Sequence, residues 1–256
     1  MATFKIILAY DGTDYVGWQR QANGVSIQGL IEDALRELDG RDVAVAGAGR
    51  TDAGVHALGQ VASFTLQREM SADTLGRALN AHLPPAIRVI DIAVVAPEFH
   101  ARFGARAKTY RYHLWNGDIM SPFERRRAWH VPGRLDVEAM GAAAGLIEGV
   151  HDFAAFQAAG GSVATTEREI FSSRLIAGPQ PCDPLIVYEV SGAGFLRHMV
   201  RTIVGSLVEV GRGRRPVDWI NDILVSHDRS AAGPTAPPHG LFLVNVTYAG
   251  ALAAGS

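Results

Sequence analysis

Between Gly47 and Ala57 the chain reads GAGRTDAGVHA, which places one carboxylate, Asp52, among glycines and two residues after Arg50. Gly47, Gly49 and Gly54 permit the dihedrals of a tight turn, so a bent, exposed loop is expected here rather than the interior of a helix or strand. A carboxylate so placed can serve as nucleophile, general base, metal ligand or ion-pair partner. A metal would want several acids or histidines, and only His56 stands nearby in sequence. Glycoside hydrolysis would want a second carboxylate across the substrate, and none follows at short range. Beside a guanidinium a carboxylate is expected to stay ionised at neutral pH, which suits a nucleophile or a base. The alternative is that Arg50 and Asp52 form an ion pair that only stiffens the loop. An isolated G-x-x-D-x-G pattern is more often an ordinary turn than a site, so the remaining residues must decide.

Two further groupings carry chemical potential. In AKTYRYHLW, alternation along a strand puts Tyr110 and Tyr112 on one face and Arg111 with Thr109 on the other. Tyrosines in strands usually belong to a half-buried sheet face, but aromatic rings beside cations are also what a base-stacking pocket needs. From Phe195, the residues Phe195, Met199 and Ile203 make an apolar stripe at helical spacing, with Arg197 and Arg201 four apart on another face. Such arginines meet solvent, or phosphate and carboxylate if the helix borders a cleft. No role is assigned to His198.

These groups need a scaffold, and composition bounds it. With 256 residues, 48% of them hydrophobic and 20% charged, the chain can bury one large core or two modest ones. No apolar run approaches a membrane span, MATFKIILAYDG lacks a signal-peptide cleavage region, and the lone cysteine, Cys182, has no disulfide partner. A cytoplasmic protein with no membrane association, no structural metal and no disulfide is expected. Net charge is −2, which argues against a nucleic-acid partner, yet the average conceals clusters. Ala101–His130 holds seven basic residues (Arg102, Arg106, Lys108, Arg111, Arg125, Arg126 and Arg127) against two acids, and Gly194–Arg215 holds five (Arg197, Arg201, Arg212, Arg214 and Arg215) against Glu209. Nearly all these cations are guanidinium forks, suited to bidentate phosphate contacts and to stacking.

Element patterns complete the scaffold. Thr3–Tyr10 alternates as a strand; Ser26 opens a helical repeat of apolar residues that Gly40 stops. Val43–Ala48 and Gln60–Leu66 read as strands flanking the Asp52 loop, Ser71 caps a helix ending before Pro84-Pro85, and Ile87–Val95 is a strand. This βαββαβ order is that of a split ferredoxin-like unit. The second half repeats the plan: a strand at Ala105–Trp115, a helix at Asp136–Ile147, strands at Ser172–Ile176 and Leu185–Val190, a helix from Phe195 to Val210, one more helix after Pro216 and a last strand at Leu241–Tyr248. His151, Asp152 and Phe153 read as a helix start with a packed aromatic. Ala158–Thr166 and Ser230–Gly240 are linker-like. The expected fold is α+β, with residues 1–104 and 105–256 as two ferredoxin-like halves. They are expected to form a mixed, mainly antiparallel sheet around a central cleft floored by the Asp52 loop.

Taken together and in order, these segments resemble the tRNA pseudouridine synthase A family. The resemblance runs through AYDGTDYVGWQRQ at Ala9–Gln21, SIQGLIEDAL at Ser26–Leu35, AGAGRTDAGVHALGQVASF at Ala46–Phe64, FHARFGARAKTYRYHLWN at Phe99–Asn116, HDFAAF at His151–Phe156, GAGFLRHMVRTIVGSL at Gly192–Leu207 and TAPPHGLFLVNVTY at Thr235–Tyr248. The main departure is around Gln157–Thr166. The resemblance implies that Asp52 is the catalytic aspartate, that Tyr110 stacks on the target base, that Arg201 pairs with the aspartate, that Arg50 helps hold the flipped nucleotide, and that Leu241 lines the uracil pocket. It further implies a cofactor-free isomerase acting on uridines at positions 38 to 40 of the tRNA anticodon arm, working as a homodimer. Turning uridine into pseudouridine breaks the C1′–N1 bond and makes a C1′–C5 bond, with no redox change, so one ionised carboxylate can suffice. Arg125, Arg126, Arg127, Arg197, Arg212, Arg214 and Arg215 are the expected RNA contacts. Two other readings of the residues are an inert RNA-binding module, which leaves Asp52 unexplained, and a carboxylate-dependent nucleosidase, which would release free uracil.

Overall fold

A computed structural model of the chain describes residues 1–158, 160, 163–176 and 184–249. Cys182 and part of the Ala158–Thr166 stretch lie outside the described residues. In chain order the elements are β1 (Ala2–Tyr10), α1 (Ile27–Asp39), β2 (Ala46–Gly47), β3 (His56–Leu66), α2 (Ala72–His82), β4 (Ile87–Val95), β5 (Ala105–Trp115) and β6 (Trp129–His130). Then follow α3 (Val137–Gly145), β7 (Gly149–Asp152), β8 (Glu167–Ile176), β9 (Leu185–Gly192), α4 (Met199–Gly211), α5 (Trp219–Ser226) and β10 (Leu241–Tyr248). Two compact units result, Met1–Arg106 with the strand from Phe242, and Ala107–Leu241. Division in chain order at residue 104 places β10 with the second half, whereas its packing groups it with the first unit. Among the described residues, no helix is long and apolar enough to cross a membrane.

In the first unit, β1 pairs antiparallel with β3 on one edge and β4 on the other. The far edge of β3 takes β2 antiparallel near Ser63 and β10 parallel at His56 and Ala57. Alternation buries Phe4, Ile6, Leu8 and Tyr10 of β1 on one face, and complete burial of an aliphatic or phenyl side chain of this size is worth about 1.5–3 kcal/mol. Helix α1 buries Ile27, Ile31, Ala34 and Leu35; Ser26 Oγ accepts from Gly29 N–H at its start, and Gly40 ends it in the left-handed region, φ 74°. Helix α2 is capped by Ser71 and buries Leu75 and Leu79. The βαββαβ order is the one its sequence pattern predicts.

Strand β2 is shorter than Val43–Ala48 predicts. Val43 and Val45 are buried, but α1 takes the backbone groups a sheet partner would use. Val45 N–H donates to Glu32 Oε1 at 3.4 Å and its carbonyl accepts from Gln28 Nε2 at 3.0 Å. Val45 is therefore tied to α1 and the strand begins only at Ala46.

The second unit orders its strands β5–β9–β8–β7, all antiparallel neighbours, with β6 parallel to the end of β5. Tyr110, Tyr112 and Leu114 of β5 are buried on the same side as Ile186, Tyr188 and Val190 of β9. Arg111 and Arg174 hold the buried Glu189 carboxylate at 2.8 and 2.7 Å. Burial alone would raise that carboxyl's pKa, but the two guanidiniums outweigh it and hold the group below the usual range. Helix α4 is buried along almost its whole length, and α3 packs on it, with Met140 Sδ occupying the space a side chain at Gly211 would need.

Two sequence expectations fail here. Helix α4 begins at Met199, not Phe195, because His198 adopts φ 61°, a left-handed conformation that cannot continue a helix. Arg197 thus lies in the turn before the helix and does not share a helical face with Arg201. His151 and Asp152 end strand β7 rather than starting an α-helix. Asp152 Oδ1 accepts from Ala154 N–H at 2.9 Å and leads into a single 3₁₀ turn, Ala154–Phe156, over the fully buried Phe153.

Candidate active site

Asp52 is half-buried and opens a four-residue turn. Val55 N–H donates to the Asp52 carbonyl at 3.1 Å, and Gly54 adopts φ 77°, a conformation few side chains tolerate. The loop is braced from behind by the N-terminal motif. Trp18 N–H donates to the Thr51 carbonyl at 3.0 Å, and Tyr10 and Thr51 share a hydroxyl–hydroxyl bond of 2.8 Å. Gly12 N–H donates to His56 Nδ1 at 3.1 Å, and a side chain at Gly12 would overlap the Val55 carbonyl oxygen. At Gly17 a Cβ would stand 2.5 Å from the Thr51 carbonyl, and at Gly47 it would run into the Trp18 indole. The AYDGTDYVGW segment thus meets the Asp52 loop with glycines at residues 12 and 17, where loop backbone comes close, and with the Tyr10 and Trp18 side chains elsewhere. The His56 ring stacks on Phe242 at 4.7 Å, closing the far side of the turn. Arg50 and Ala53 are exposed, and Val55 is buried.

In the second unit, Tyr110 is 7% exposed and meets the edge of Phe195 at 5.0 Å, which fixes its ring plane. Arg201, on the first turn of α4, donates from Nε to the Ala236 carbonyl at 2.7 Å, so its guanidinium plane is set by the segment 233–240. That segment is itself pinned. Ala236 N–H donates to the Arg201 carbonyl at 3.1 Å, Gly233 N–H donates to Ser206 Oγ at 3.0 Å, and Tyr112 Oη donates to the Pro237 carbonyl at 2.8 Å. Burial pushes the Tyr112 phenol's pKa well up, against a smaller opposing pull from Arg201, so the donor keeps its proton. Gly240 lies flat against the Tyr112 ring, and Leu241 follows, 6% exposed, with the fully buried Leu243 two residues on. Arg201, Ser206, Tyr112 and the segment 233–240 are therefore joined by one connected set of contacts, and the Tyr110 ring is set separately by Phe195.

The expected RNA-contacting arginines divide. Arg125, Arg126 and Arg127 are exposed on the turn before β6, with Arg125 Nη1 donating to the Pro122 carbonyl at 2.6 Å. Arg197 is exposed in the turn before α4. Arg212 and Arg214 both reach Glu209, at 3.6 and 3.1 Å, and Arg215 stacks over Trp219 at 5.0 Å. Tyr10, Gly12, Gly17, Trp18 and Gln60 have no task in the sequence reading, although all five brace the Asp52 loop. Their spacing offers no period to read; apart from the resemblance of Ala9–Gln21, the signal is two glycines and three aromatics in a short polar stretch.

A model of the tRNA pseudouridine synthase family matches residues 6–104 and 143–249 of the chain. The protein named tRNA pseudouridine synthase A of Myxococcus xanthus is 47% identical over 248 residues, covering 97% of this chain and 92% of its own. Proteins of the same name from Geotalea uraniireducens and Syntrophotalea carbinolica are 46% and 44% identical over 249 residues, each covering 97% of this chain and 100% and 97% of their own lengths.

Proposed function

Because the chain belongs to the tRNA pseudouridine synthase family, we propose that it isomerises uridine to pseudouridine in the anticodon stem-loop of tRNA, at positions 38 to 40, with Asp52 as the reacting carboxylate. The observation that carries this reading is the bracing of Asp52. An ordinary turn needs no such support, whereas a group that must meet a sugar or base within a few tenths of an ångström does.

The chemistry asks little of the protein beyond placement. The C1′–N1 bond breaks, the uracil turns, and a C1′–C5 bond forms; C5 gives up its proton and N1 takes one, so no cofactor is consumed. One ionised carboxylate acting as nucleophile or base serves this sequence. The target nucleotide must leave its stack, at a cost of a few kcal/mol that aromatic stacking and phosphate contacts offset. We assign the stacking face to Tyr110, the basic group to Arg201, the apolar wall to Leu241 and a hold on the extruded nucleotide to Arg50. The half 1–104 carries the reacting acid, and the half 105–256 the stacking and basic groups. The enzyme works in the cytoplasm as a homodimer on one tRNA.

Release of tritium from tRNA transcripts containing 5-tritiated uridine tests the reaction. The native protein should release tritium and no free uracil. Asp52→Ala should release none while binding tRNA with near-native affinity. Tritium release by the variant would remove Asp52 from the chemistry, and free uracil from the native protein would make it a nucleosidase.

A further inference from the structure

We propose that Tyr10 is a positioning residue for Asp52, acting through the Thr51 hydroxyl, with Gln60 as the strut beneath both. The inference rests on the reading of Asp52 as the reacting group and adds how that group is held. All three side chains are buried: Tyr10 is 4% exposed, Thr51 6% and Gln60 fully enclosed. They form a connected chain of hydrogen bonds. Gln60 Nε2 donates to the Gly49 carbonyl at 2.9 Å and approaches the Tyr10 oxygen at 3.5 Å. The same Tyr10 oxygen shares a hydroxyl–hydroxyl hydrogen bond with Thr51 Oγ1, 2.8 Å away. Burial pushes the Tyr10 phenol up to about 12, so the proton stays on it throughout the working pH range. Thr51 is then fixed at both ends, its hydroxyl by Tyr10 and its carbonyl by Trp18 N–H at 3.0 Å, and the next residue is Asp52.

Two features separate this arrangement from a core tyrosine whose hydroxyl merely finds a partner. The β1–β3 register shifts between Leu8, opposite Gln60, and Tyr10, opposite Ala57, and such an irregularity re-aims a side chain at a strand end. In addition, Gln60 Oε1 is buried with no hydrogen-bond partner among the described residues. An unpaired buried amide oxygen opposes folding, and methionine, of similar length, would avoid it. Glutamine serves here by giving its N–H group to the Gly49 carbonyl, at the entrance to the Asp52 loop.

Turnover and KM for tRNA, measured with the thermal midpoint, test the proposal on Tyr10→Phe, Thr51→Val, Thr51→Ser and Gln60→Met. Tyr10→Phe and Thr51→Val should each lower kcat about 10- to 100-fold with KM within about twofold, since small misplacements of a reacting group act on turnover. Thr51→Ser should keep native kcat. The double variant Tyr10→Phe/Thr51→Val should be no slower than either single one, as expected of two members of one chain. Gln60→Met should lower kcat by more than any change in midpoint accounts for, because it takes away both the unpaired Oε1 and the N–H that fixes the Gly49 carbonyl. Native kcat in Tyr10→Phe, or a fall in kcat that only tracks a fall in midpoint, would overturn the proposal. Asp52→Ala is assayed alongside. If it is inactive while Tyr10→Phe is native-like, positioning fails and the reacting carboxylate stands; if it keeps turning over, the reading of Asp52 itself has failed.

Discussion

The Val55 carbonyl lies so close to Gly12 that no side chain fits between them, and this makes residue 12 a sensitive reporter on Asp52 three positions earlier in the turn. An added methyl group has nowhere to go, because what it meets is backbone rather than the flexible end of a side chain. Overpacking of this kind costs about 1–3 kcal/mol. Since Val55 N–H closes the turn on the Asp52 carbonyl, the strain is relieved by moving that turn. Gly12→Ala is therefore expected to keep the fold, with a thermal midpoint lowered by several degrees, while kcat falls at least tenfold. Calorimetry together with tritium release checks both, and native turnover in a folded Gly12→Ala protein would show that the turn tolerates displacement. At this scale the tight turn around Asp52 was legible, because the glycines beside it permit the dihedrals such a turn needs. The residues holding it were not. Gly12, Trp18 and Gln60 act through contacts with segments distant along the chain or with loop backbone, and no local period records such contacts.

Among the elements, α4 and the segment 233–240 depend on each other at Gly205. A Cβ there would collide with the Pro234 carbonyl oxygen. Alanine favours a helix over glycine by about 1 kcal/mol, so on helix propensity alone Gly205→Ala should stabilise α4. The collision reverses the sign. The segment must lift, which breaks the Gly233–Ser206 and Ala236–Arg201 bonds, each worth about 0.5–1.5 kcal/mol, as well as the Arg201 Nε bond that sets its guanidinium plane. Net destabilisation of about 2–4 kcal/mol and loss of most turnover are expected, read from denaturant unfolding and tritium release; a more stable, active variant would mean that the segment does not orient Arg201. The order and kind of most elements were readable from hydrophobic period and caps, as Ser26, Ser71 and Asp136 show. The errors share a cause. Phe195, Met199 and Ile203 keep helical spacing across His198, whose left-handed backbone leaves no mark on that pattern, and Val43 and Val45 look like a strand while the Val45 backbone groups bond to α1 side chains.

Over the whole molecule, a net charge of −2 coexists with local surplus of arginine, and the surplus stands on two separate stretches of chain. Glu209 takes up Arg212 and Arg214, and Trp219 lies under Arg215, so these guanidiniums would have to leave existing partners to meet phosphate. Arg125, Arg126 and Arg127 stand exposed on one turn beside Phe123, itself 83% exposed, and the Arg125 guanidinium is held by a backbone carbonyl that leaves its charge uncompensated. Neutralising phosphates releases counterions, so each phosphate that goes unneutralised lowers the slope of log affinity against log salt by about one. Replacing Arg125, Arg126 and Arg127 together by Ala should weaken tRNA binding at low salt and reduce that slope by about two to three, leaving kcat at saturating tRNA near native. The double replacement of Arg212 and Arg214 by Ala should change the slope by less than about one, because their charges are already partly compensated. Filter binding across a salt series distinguishes the two surfaces. A native slope in the triple variant, or the larger change in the double one, would move the RNA-contacting face to the end of α4.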